Sequence, residues 1–161
     1  MALITYLTRI EFDEGAVARL PAILEGLKVA RPLIVTDRGL VATGLVDRVL
    51  GLFASRPAVF SETPANPTED AVIAALAAYR DGKCDGIVAV GGGSSIDLAK
   101  AVRLLTGHEG PLAQYTAVEG GAARIHGNIC PLVAVPTTSG TGSEVGRAAV
   151  IITKEGRKLG I

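Results

Sequence analysis

Short apolar runs and helical repeats alternate along this chain, and two of the apolar runs end in loops of glycine and hydroxyl residues. Residues 86–90 and 131–135 are apolar throughout. Runs of this length, bounded by glycine or proline, are typical of buried parallel strands. The loops at their carboxyl ends are Gly-Gly-Gly-Ser-Ser (91–95) and Pro-Thr-Thr-Ser-Gly-Thr-Gly-Ser (136–143). Because glycines there let phosphates approach the backbone, the pattern predicts a nucleotide site at one edge of a sheet.

The full set of apolar runs predicts an α/β domain. The predicted strands are 3–12, 33–36, 58–60, 87–90, 132–135, 148–153 and 158–161, the last two around a turn at 155–157. Residues 107–128 are expected to be irregular surface structure. Strands that alternate with helices are typical of a Rossmann-like, mostly parallel sheet flanked by helices.

Helices are predicted between these strands. They are expected around 17–27, over 40–52, from 68 to 82 and over 95–106. Pro21 lies inside the first, which therefore starts late or is kinked. Thr68 is the predicted N-cap of the third helix and Gly82 its end. Ser94 and Asp97 have the spacing of a capping box at the start of the fourth.

Composition narrows the class of protein. The chain has 161 residues, of which 48% are hydrophobic and only 4% aromatic, with 20 glycines. This balance suits a single α/β domain with many tight turns better than a β-sandwich. The formal net charge is zero and there is no run of Lys or Arg. The chain therefore lacks the positive charge that is typical of proteins that bind nucleic acid or a membrane surface.

The cysteines and the apolar stretches bear on location. Cys84 and Cys130 are far apart, with no further Cys or His at ligand spacing. They are expected to be reduced, structural thiols. No apolar stretch approaches the length of a membrane span, and Arg9 and Glu11 come too early for a signal peptide. We expect a cytoplasmic location.

The first glycine loop has the context of a phosphate site. It is neither the G-x-G-x-x-G fingerprint nor a P-loop, which needs Gly-Lys-Ser/Thr. It nevertheless joins a strand to the positive end of a helix dipole. The alternative is a tight turn without a ligand, but such a turn needs one glycine. Three consecutive glycines each cost roughly 0.5–1 kcal/mol relative to alanine in regular structure.

The second loop offers five hydroxyls in the seven residues 137–143. As a plain loop it would be polar and flexible. Because it follows a buried strand, we interpret it as a second binding edge that reaches a pyrophosphate or the adjoining ribose. Glu144 either orients these hydroxyls or lies in the first turn of the next segment.

Three further polar residues have two interpretations each. Asp37 closes the strand 33–36, where a carboxylate could bind an adenosine ribose and repel a 2′-phosphate, favouring NAD over NADP; it could equally cap the next helix. Asn66 either turns toward the same cleft or starts the Thr68 helix. Lys158 either reaches a phosphate or is a solvated turn residue.

The two histidines carry no metal signature. His108 and His126 both lie in the irregular region, and neither has a carboxylate or a second His at ligand spacing. We interpret both as surface residues. The sequence predicts neither a metal site nor a nucleophile–base pair within this chain.

Three segments, in this order, resemble the iron-containing (group III) alcohol dehydrogenase family. They are 33–40 (LIVTDRGL), 91–100 (GGGSSIDLAK) and 136–145 (PTTSGTGSEV). The resemblance covers essentially the whole chain but well under half of a typical member. It implies the nucleotide-binding domain of a two-domain, dehydroquinate synthase-like fold. In the family a helical domain follows, where one Asp and three His hold Fe²⁺ or Zn²⁺ that polarises the substrate oxygen.

The resemblance also implies roles for individual residues. Asp37 would face the adenosine ribose and bias the site toward NAD. The pyrophosphate and nearby groups would be held by Gly92, Gly93, Ser94 and Asp97, and the phosphate and nicotinamide side would be lined by Thr137, Thr138, Thr141 and Ser143. Asn66 and Lys158 would edge the cofactor cleft. Arg147 and Thr153 depart from the family pattern, which leaves the substrate and the subfamily open.

The expected function is hydride transfer between NAD, rather than NADP, and a small alcohol, aldehyde or ketone. The chain, 1–161, would be the cofactor-binding part of a longer enzyme, because it ends before the metal ligands. A homodimer through strand 3–12 would pair an otherwise open edge.

Other functions remain open at this point. A glycerol dehydrogenase, a maleylacetate reductase or a dehydroquinate-synthase-like lyase would share the same nucleotide domain. The chain could also be a non-catalytic nucleotide-binding module. A kinase-like transferase lacks its P-loop Lys and its Mg²⁺ carboxylates.

Overall fold

A computed structural model describes residues 2–5 and 8–161 of the chain. The strands are β1 (Ala2–Thr5), β2 (Arg9–Phe12), β3 (Pro32–Val35), β4 (Ala58–Phe60), β5 (Gly86–Gly91), β6 (Leu132–Pro136), β7 (Val150–Ile152) and β8 (Lys158–Gly160). The α-helices are α1 (Leu20–Gly26), α2 (Arg38–Ala42), α3 (Leu45–Leu50), α4 (Glu69–Asp81) and α5 (Gly93–Leu105). Short 3₁₀ helices lie at Ala16–Arg19, Leu112–Tyr115, Ala117–Glu119 and Gly121–Arg124.

The central sheet has the strand order β4-β3-β5-β6, and all of its pairs are parallel. In register, Ile34 lies between Val59 and Val88, and Val88 pairs with Val133 on its other side. The prediction of a mostly parallel α/β sheet is confirmed. From β3 the chain moves outward to β4 and then crosses back to β5. The strand order therefore reverses between β3 and β5, where open α/β sheets bind ligands at the carboxyl ends of their strands.

Each face of this sheet is covered by helices. Because successive strand residues point to opposite faces, Leu33 and Val35 enter one core while Ile34 enters the other. The first core is shared with α4 and α5, and the second with α1 and α3. β5 is fully buried on both faces, as its unbroken apolar sequence requires. The result is a three-layer domain whose buried central strand, β5, ends at the first glycine loop.

The chain start is a hairpin, so the prediction of one strand over 3–12 is wrong. β1 and β2 pair antiparallel, with Leu3 opposite Glu11 and Ile4 opposite Ile10. Residues 6 and 7 lie outside the described part of the chain. The reversal pairs each strand with the other, so the backbone groups between them are satisfied within this segment. The predicted hairpin near the chain end is confirmed, with the shorter strands β7 and β8.

The helix predicted over 40–52 is two helices. Gly44 has φ +77°, a left-handed conformation that L-residues rarely adopt, and it separates α2 from α3. The first of the two begins earlier than predicted, because the Asp37 side chain accepts a hydrogen bond from the Leu40 N–H.

Some of the other predicted helix ends are confirmed and one is wrong. Thr68 caps α4 by accepting from the Ala71 N–H, and Gly82 is the C-cap of that helix, as predicted. Pro21 lies in the first turn of α1, which starts late rather than being kinked. The predicted capping box at Ser94 and Asp97 is wrong. Gly92 is the N-cap of α5 and carries no side chain to accept a hydrogen bond.

Helix length bears on membrane insertion. Within residues 2–5 and 8–161, no helix combines the length and the apolar character needed to cross a bilayer.

Candidate functional site

A cleft of about 870 Å³ opens at the carboxyl ends of β3, β4 and β5. It is lined by 37–40, Thr43, 61–65, 92–95, Thr137 and Thr138. It lies across the point where the strand order reverses. Its volume falls in the roughly 300–1,000 Å³ range of small-molecule sites, so the position and size are those of a ligand cleft.

The amino end of α5 faces this cleft without a side-chain cap. Gly92 is the N-cap, and the first turn contains no acidic residue. The first N–H groups of a helix have no acceptor within it, so those of Gly93, Ser94 and Ser95 remain available. The helix dipole adds partial positive charge at the same place. This is the arrangement that binds phosphate groups at helix amino ends.

Close approach explains the run of glycines in the first loop. A Cβ on Gly91 would lie 2.5 Å from Ser95 Oγ, and the residue has φ +155°. A Cβ on Gly92 would lie 3.2 Å from Thr138 Oγ1, and one on Gly93 3.2 Å from Thr141 Cβ. The second loop therefore packs directly on the first.

The two loops are also joined through the sheet. β5 and β6 are neighbours, and the Thr137 N–H donates to the Gly91 carbonyl at 3.0 Å. Both loops therefore lie at the same edge, as the sequence predicts from their place after parallel strands.

Asp37 follows β3, the strand next to β5, and has a structural partner. Its Oδ1 accepts the Leu40 N–H at 2.8 Å, so the helix-cap interpretation is confirmed. Its Oδ2 is turned toward the first loop, since a Cβ on Gly91 would lie 3.6 Å from it. One carboxylate oxygen thus caps α2 while the residue still lines the cleft. Its role toward a ribose stays a prediction.

Ser94 also combines a cleft position with an internal contact. Its hydroxyl donates to the Ala65 carbonyl at 2.6 Å, which ties the start of α5 to the segment after β4. The backbone N–H of Ser94, rather than its hydroxyl, is the group left for an anion.

The hydroxyls of the second loop fall into two groups. Thr137 and Thr138 are exposed and line the cleft. Thr141 and Ser143 do not line it. The Thr141 hydroxyl donates to Glu144 Oε2 at 3.4 Å, and the Ser143 hydroxyl makes a short hydrogen bond to Asp97. Glu144 thus contacts a hydroxyl of the loop, one of its two predicted roles.

Asp97 lies away from the cleft and anchors the second loop. Besides Ser143, it accepts the Val150 N–H at 3.0 Å and a hydrogen bond from Lys100 Nζ at 3.4 Å. Lys100 also donates to the Ala148 carbonyl at 2.8 Å. Burial lowers the pKa of Lys100, and the Asp97 charge opposes that shift. This group of Asp97, Lys100, Ser143 and their backbone partners fixes the loop onto α5; we call it the loop anchor.

Asn66 and Lys158 contact each other, with Lys158 Nζ 2.9 Å from Asn66 Oδ1. Both residues are exposed and neither lines the cleft. Their contact ties the segment before α4 to the β7–β8 hairpin.

The sequence reasoning missed the segment after β4. Ser61, Glu62 and Thr63 all line the cleft. Thr63 is only 8% exposed, and its buried hydroxyl has no hydrogen-bond partner among the residues that the structure describes. The available signal was a polar tripeptide directly after a short strand, at the same sheet edge as the glycine loops.

The histidines pack on one another away from the cleft. Their rings are stacked at 3.9 Å, and His108 Nε2 accepts the His126 N–H at 3.0 Å. In the part of the chain that the structure describes, no group of three or more His, Cys, Asp and Glu residues is arranged to hold a metal ion.

The fold and the cleft define a class: an α/β domain of the kind that binds nucleotides at the carboxyl edge of a parallel sheet. The profile of the iron-containing alcohol dehydrogenase family matches residues 8–161. The chain belongs to that family.

Individual relatives agree with this assignment. The chain is 56% identical to 4-hydroxybutyrate dehydrogenase from Cupriavidus necator over 161 residues, which is 99% of this chain and 42% of that protein. The crystal structure of 1,3-propanediol oxidoreductase matches with a TM-score of 0.82 and 35% identity, over 91% of this chain and 38% of that one. Sulfoacetaldehyde reductase from Bifidobacterium kashiwanohense, solved with NAD+, gives a TM-score of 0.81 and 29% identity, over 91% and 39%. The chain thus spans about two fifths of the length of these relatives.

Proposed function

We propose that this chain binds NAD(H) and is the cofactor-binding domain of an enzyme that interconverts a small alcohol and its carbonyl compound. The observation that carries the proposal is the uncapped amino end of α5, which faces a cleft at the point of strand reversal. Family membership supports the class of reaction.

The residues present suit a dinucleotide. Gly92 and Gly93 leave the loop backbone bare where it borders the cleft, and a Cβ on either would make a tight 3.2 Å contact with the second loop.

Each part of the cleft then has a proposed task. The N–H groups of Gly93 and Ser94 would hold the pyrophosphate. Asp37 would accept hydrogen bonds from the adenosine ribose through Oδ2 and would contribute to a preference for NAD by repelling a 2′-phosphate. Thr137 and Thr138 would line the phosphate and nicotinamide side. Bound NAD(H) supplies the hydride acceptor or donor.

The remaining residues of the predicted site would position the cleft without lining it. Asp97 and Ser143 would hold the second loop in place, and Thr141 would pack on Gly93. Asn66 and Lys158 would hold the segment before α4 against the β7–β8 hairpin.

The substrate and metal are proposed to lie with the rest of the enzyme. An iron or zinc site does not fit the described residues of this chain. We propose that its ligands belong to a second domain, matching the part of the relatives that this chain does not span. A 56% identical relative is named for 4-hydroxybutyrate, which makes that hydroxy acid the first substrate to assay. A cytoplasmic homodimer joined through the β1–β2 hairpin completes the proposal.

Calorimetric titration of the chain with NADH and NADPH tests the cofactor role. We expect saturable NADH binding, weaker NADPH binding, and loss of both in Gly93→Val, because the valine would displace Thr141. Gly127→Ala is the matched control, since a Cβ there meets nothing within 4 Å. Absence of NADH binding to the folded wild-type chain would contradict the proposal.

A further inference from the structure

Next to Asp37 in the cleft wall, Arg38 forms an ion pair with Glu62, which follows the neighbouring strand β4. Arg38 Nε lies 2.8 Å from Glu62 Oε1, and Arg38 Nη2 contacts Glu62 Oε2. The ion pair is therefore bidentate: two guanidinium nitrogens contact the two carboxylate oxygens. Both residues line the cleft.

The sheet brings this pair together. β3 and β4 are parallel neighbours, and beyond their ends Asp37 and Glu62 form an isolated bridge. Arg38 directly follows Asp37 and starts α2, so its side chain meets the residue opposite. The hydrogen bond from Arg38 lowers the pKa of Glu62, so the pairing favours the charged carboxylate.

The charges of Asp37 and Arg38 bear on the choice between NAD and NADP because both residues follow β3 at the edge of the cleft. In dinucleotide sites of this type, an acidic residue at this strand end binds the ribose 2′-hydroxyl, whereas a nearby free arginine accommodates a 2′-phosphate. This chain has both residues side by side. Asp37 alone does not explain a preference for NAD, because Arg38 next to it would attract the extra phosphate.

We propose that Glu62 is a specificity-determining residue that keeps the cleft selective for NAD(H) by holding Arg38 away from a 2′-phosphate. The inference rests on the proposed function. With Glu62 in place, the Arg38 charge is balanced by Glu62, and Asp37 leaves this wall with a net negative charge, so the wall repels a dianion. When Glu62 loses its charge, the Arg38 guanidinium is free to bind a 2′-phosphate.

The alternative is that the pair only fastens α2 to the segment after β4. The side chains of Arg38 and Glu62 are 78% and 50% exposed, so loss of the ion pair should leave the fold intact. A purely structural role would weaken NADH and NADPH binding equally. The ratio of the two affinities is therefore the informative quantity.

The experiment is calorimetric titration of wild type, Glu62→Gln, Arg38→Gln and the double variant with NADH and NADPH. We expect Glu62→Gln to tighten NADPH binding by roughly tenfold, the size of about one well-placed charge interaction, with NADH changed by less than about threefold. The double variant should lose this gain because it has no arginine to release. Added salt should reduce the gain.

The outcomes separate the two proposals. An unchanged NADPH-to-NADH ratio in Glu62→Gln, in a protein that binds NADH, overturns the role of Glu62 and leaves the cofactor site standing. A gain that persists in the double variant also overturns it, since Arg38 would not be the group released. Absence of NADH binding to wild type overturns both the cofactor site and this inference.

Discussion

The two glycine loops use the same residue for different physical reasons. In the first loop, a Cβ at Gly91, Gly92 or Gly93 would come within 3.2 Å of Ser95 or of the second loop. In the second loop, Gly140 and Gly142 have open space around them but φ values of +95° and +67°. The first loop needs glycine for close packing, and at Gly91 also for its φ of +155°, whereas the second needs it for backbone conformation alone.

The loops also differ in how they are held. The first continues a fully buried strand into a helix, so its position is set by the core. The second is exposed from Pro136 to Gly142 and is tied down at its far end by the loop anchor. We infer that the first loop is the fixed half of the cleft and that the second is placed by a small number of polar contacts.

Gly91→Ala should have the largest effect. The new methyl would collide with the buried Ser95 side chain, and relief requires movement of β5 or α5. We expect the free energy of unfolding to fall by about 3 kcal/mol and NADH binding to be lost. Urea denaturation and calorimetry measure the two effects. A stability loss no greater than that of Gly127→Ala would contradict the packing explanation.

Asp97→Ala should have an intermediate effect that is concentrated in the second loop. It removes the acceptor of the Val150 N–H and the Ser143 hydroxyl and leaves the Lys100 ammonium, 12% exposed, without its carboxylate. We expect a loss of about 2 kcal/mol in the free energy of unfolding. Hydrogen exchange should accelerate in residues 137–150 and stay unchanged in β5. Equal acceleration in both regions would show that the loops are not held independently.

Gly142→Ala should cost about 1 kcal/mol, because it strains the backbone without a collision. Gly142→Asn should cost less, since asparagine tolerates the left-handed conformation better than alanine does. Thermal unfolding of the two variants measures the difference. If asparagine proves worse than alanine, side-chain contacts rather than φ decide this position.

The pH dependence of Asp97→Asn should give the smallest effect. Burial lowers the pKa of Lys100 in the folded chain, so the unfolded chain binds more protons above that pKa. Stability therefore rises as the pH increases through the folded pKa toward the ordinary lysine value of about 10.4. Loss of the Asp97 charge lowers the folded pKa further, so the rise should begin at a lower pH in the variant. Urea denaturation across the alkaline range tests this, and identical slopes would contradict it.

Much of the fold could be predicted because it depends on local pattern. The apolar runs identify β3, β4, β5 and β6, and their carboxyl ends place the glycine loops at one edge. Thr68 and Gly82 mark the ends of α4 through side-chain chemistry within one turn. Two wrong element predictions involve a break in a continuous apolar pattern: the division of 3–12 into β1 and β2, and the division of 40–52 at Gly44, where a left-handed glycine separates two helices.

The roles of individual site residues could be predicted less well. The carboxylate at Asp97 has the right spacing for a capping box, yet its partners Ser143 and Val150 are more than forty residues away in the sequence. Local spacing carries no information about a contact of that range. The same holds for Glu62, which becomes relevant only when β4 is placed beside β3.

The sequence by itself determined the parallel strands, the glycine-rich helix start and the resemblance to the family, because each is encoded in a contiguous stretch of residues. Only the tertiary structure decided which polar side chains line the cleft and which hold it in place. Asp37, Thr137 and Thr138 line it, while Asp97, Ser143, Asn66 and Lys158 bind one another or the backbone. The reason is physical: a polar group, above all one that is half-buried like Asp97, hydrogen-bonds to the nearest partner in space, and the tertiary arrangement, not sequence spacing, sets that partner.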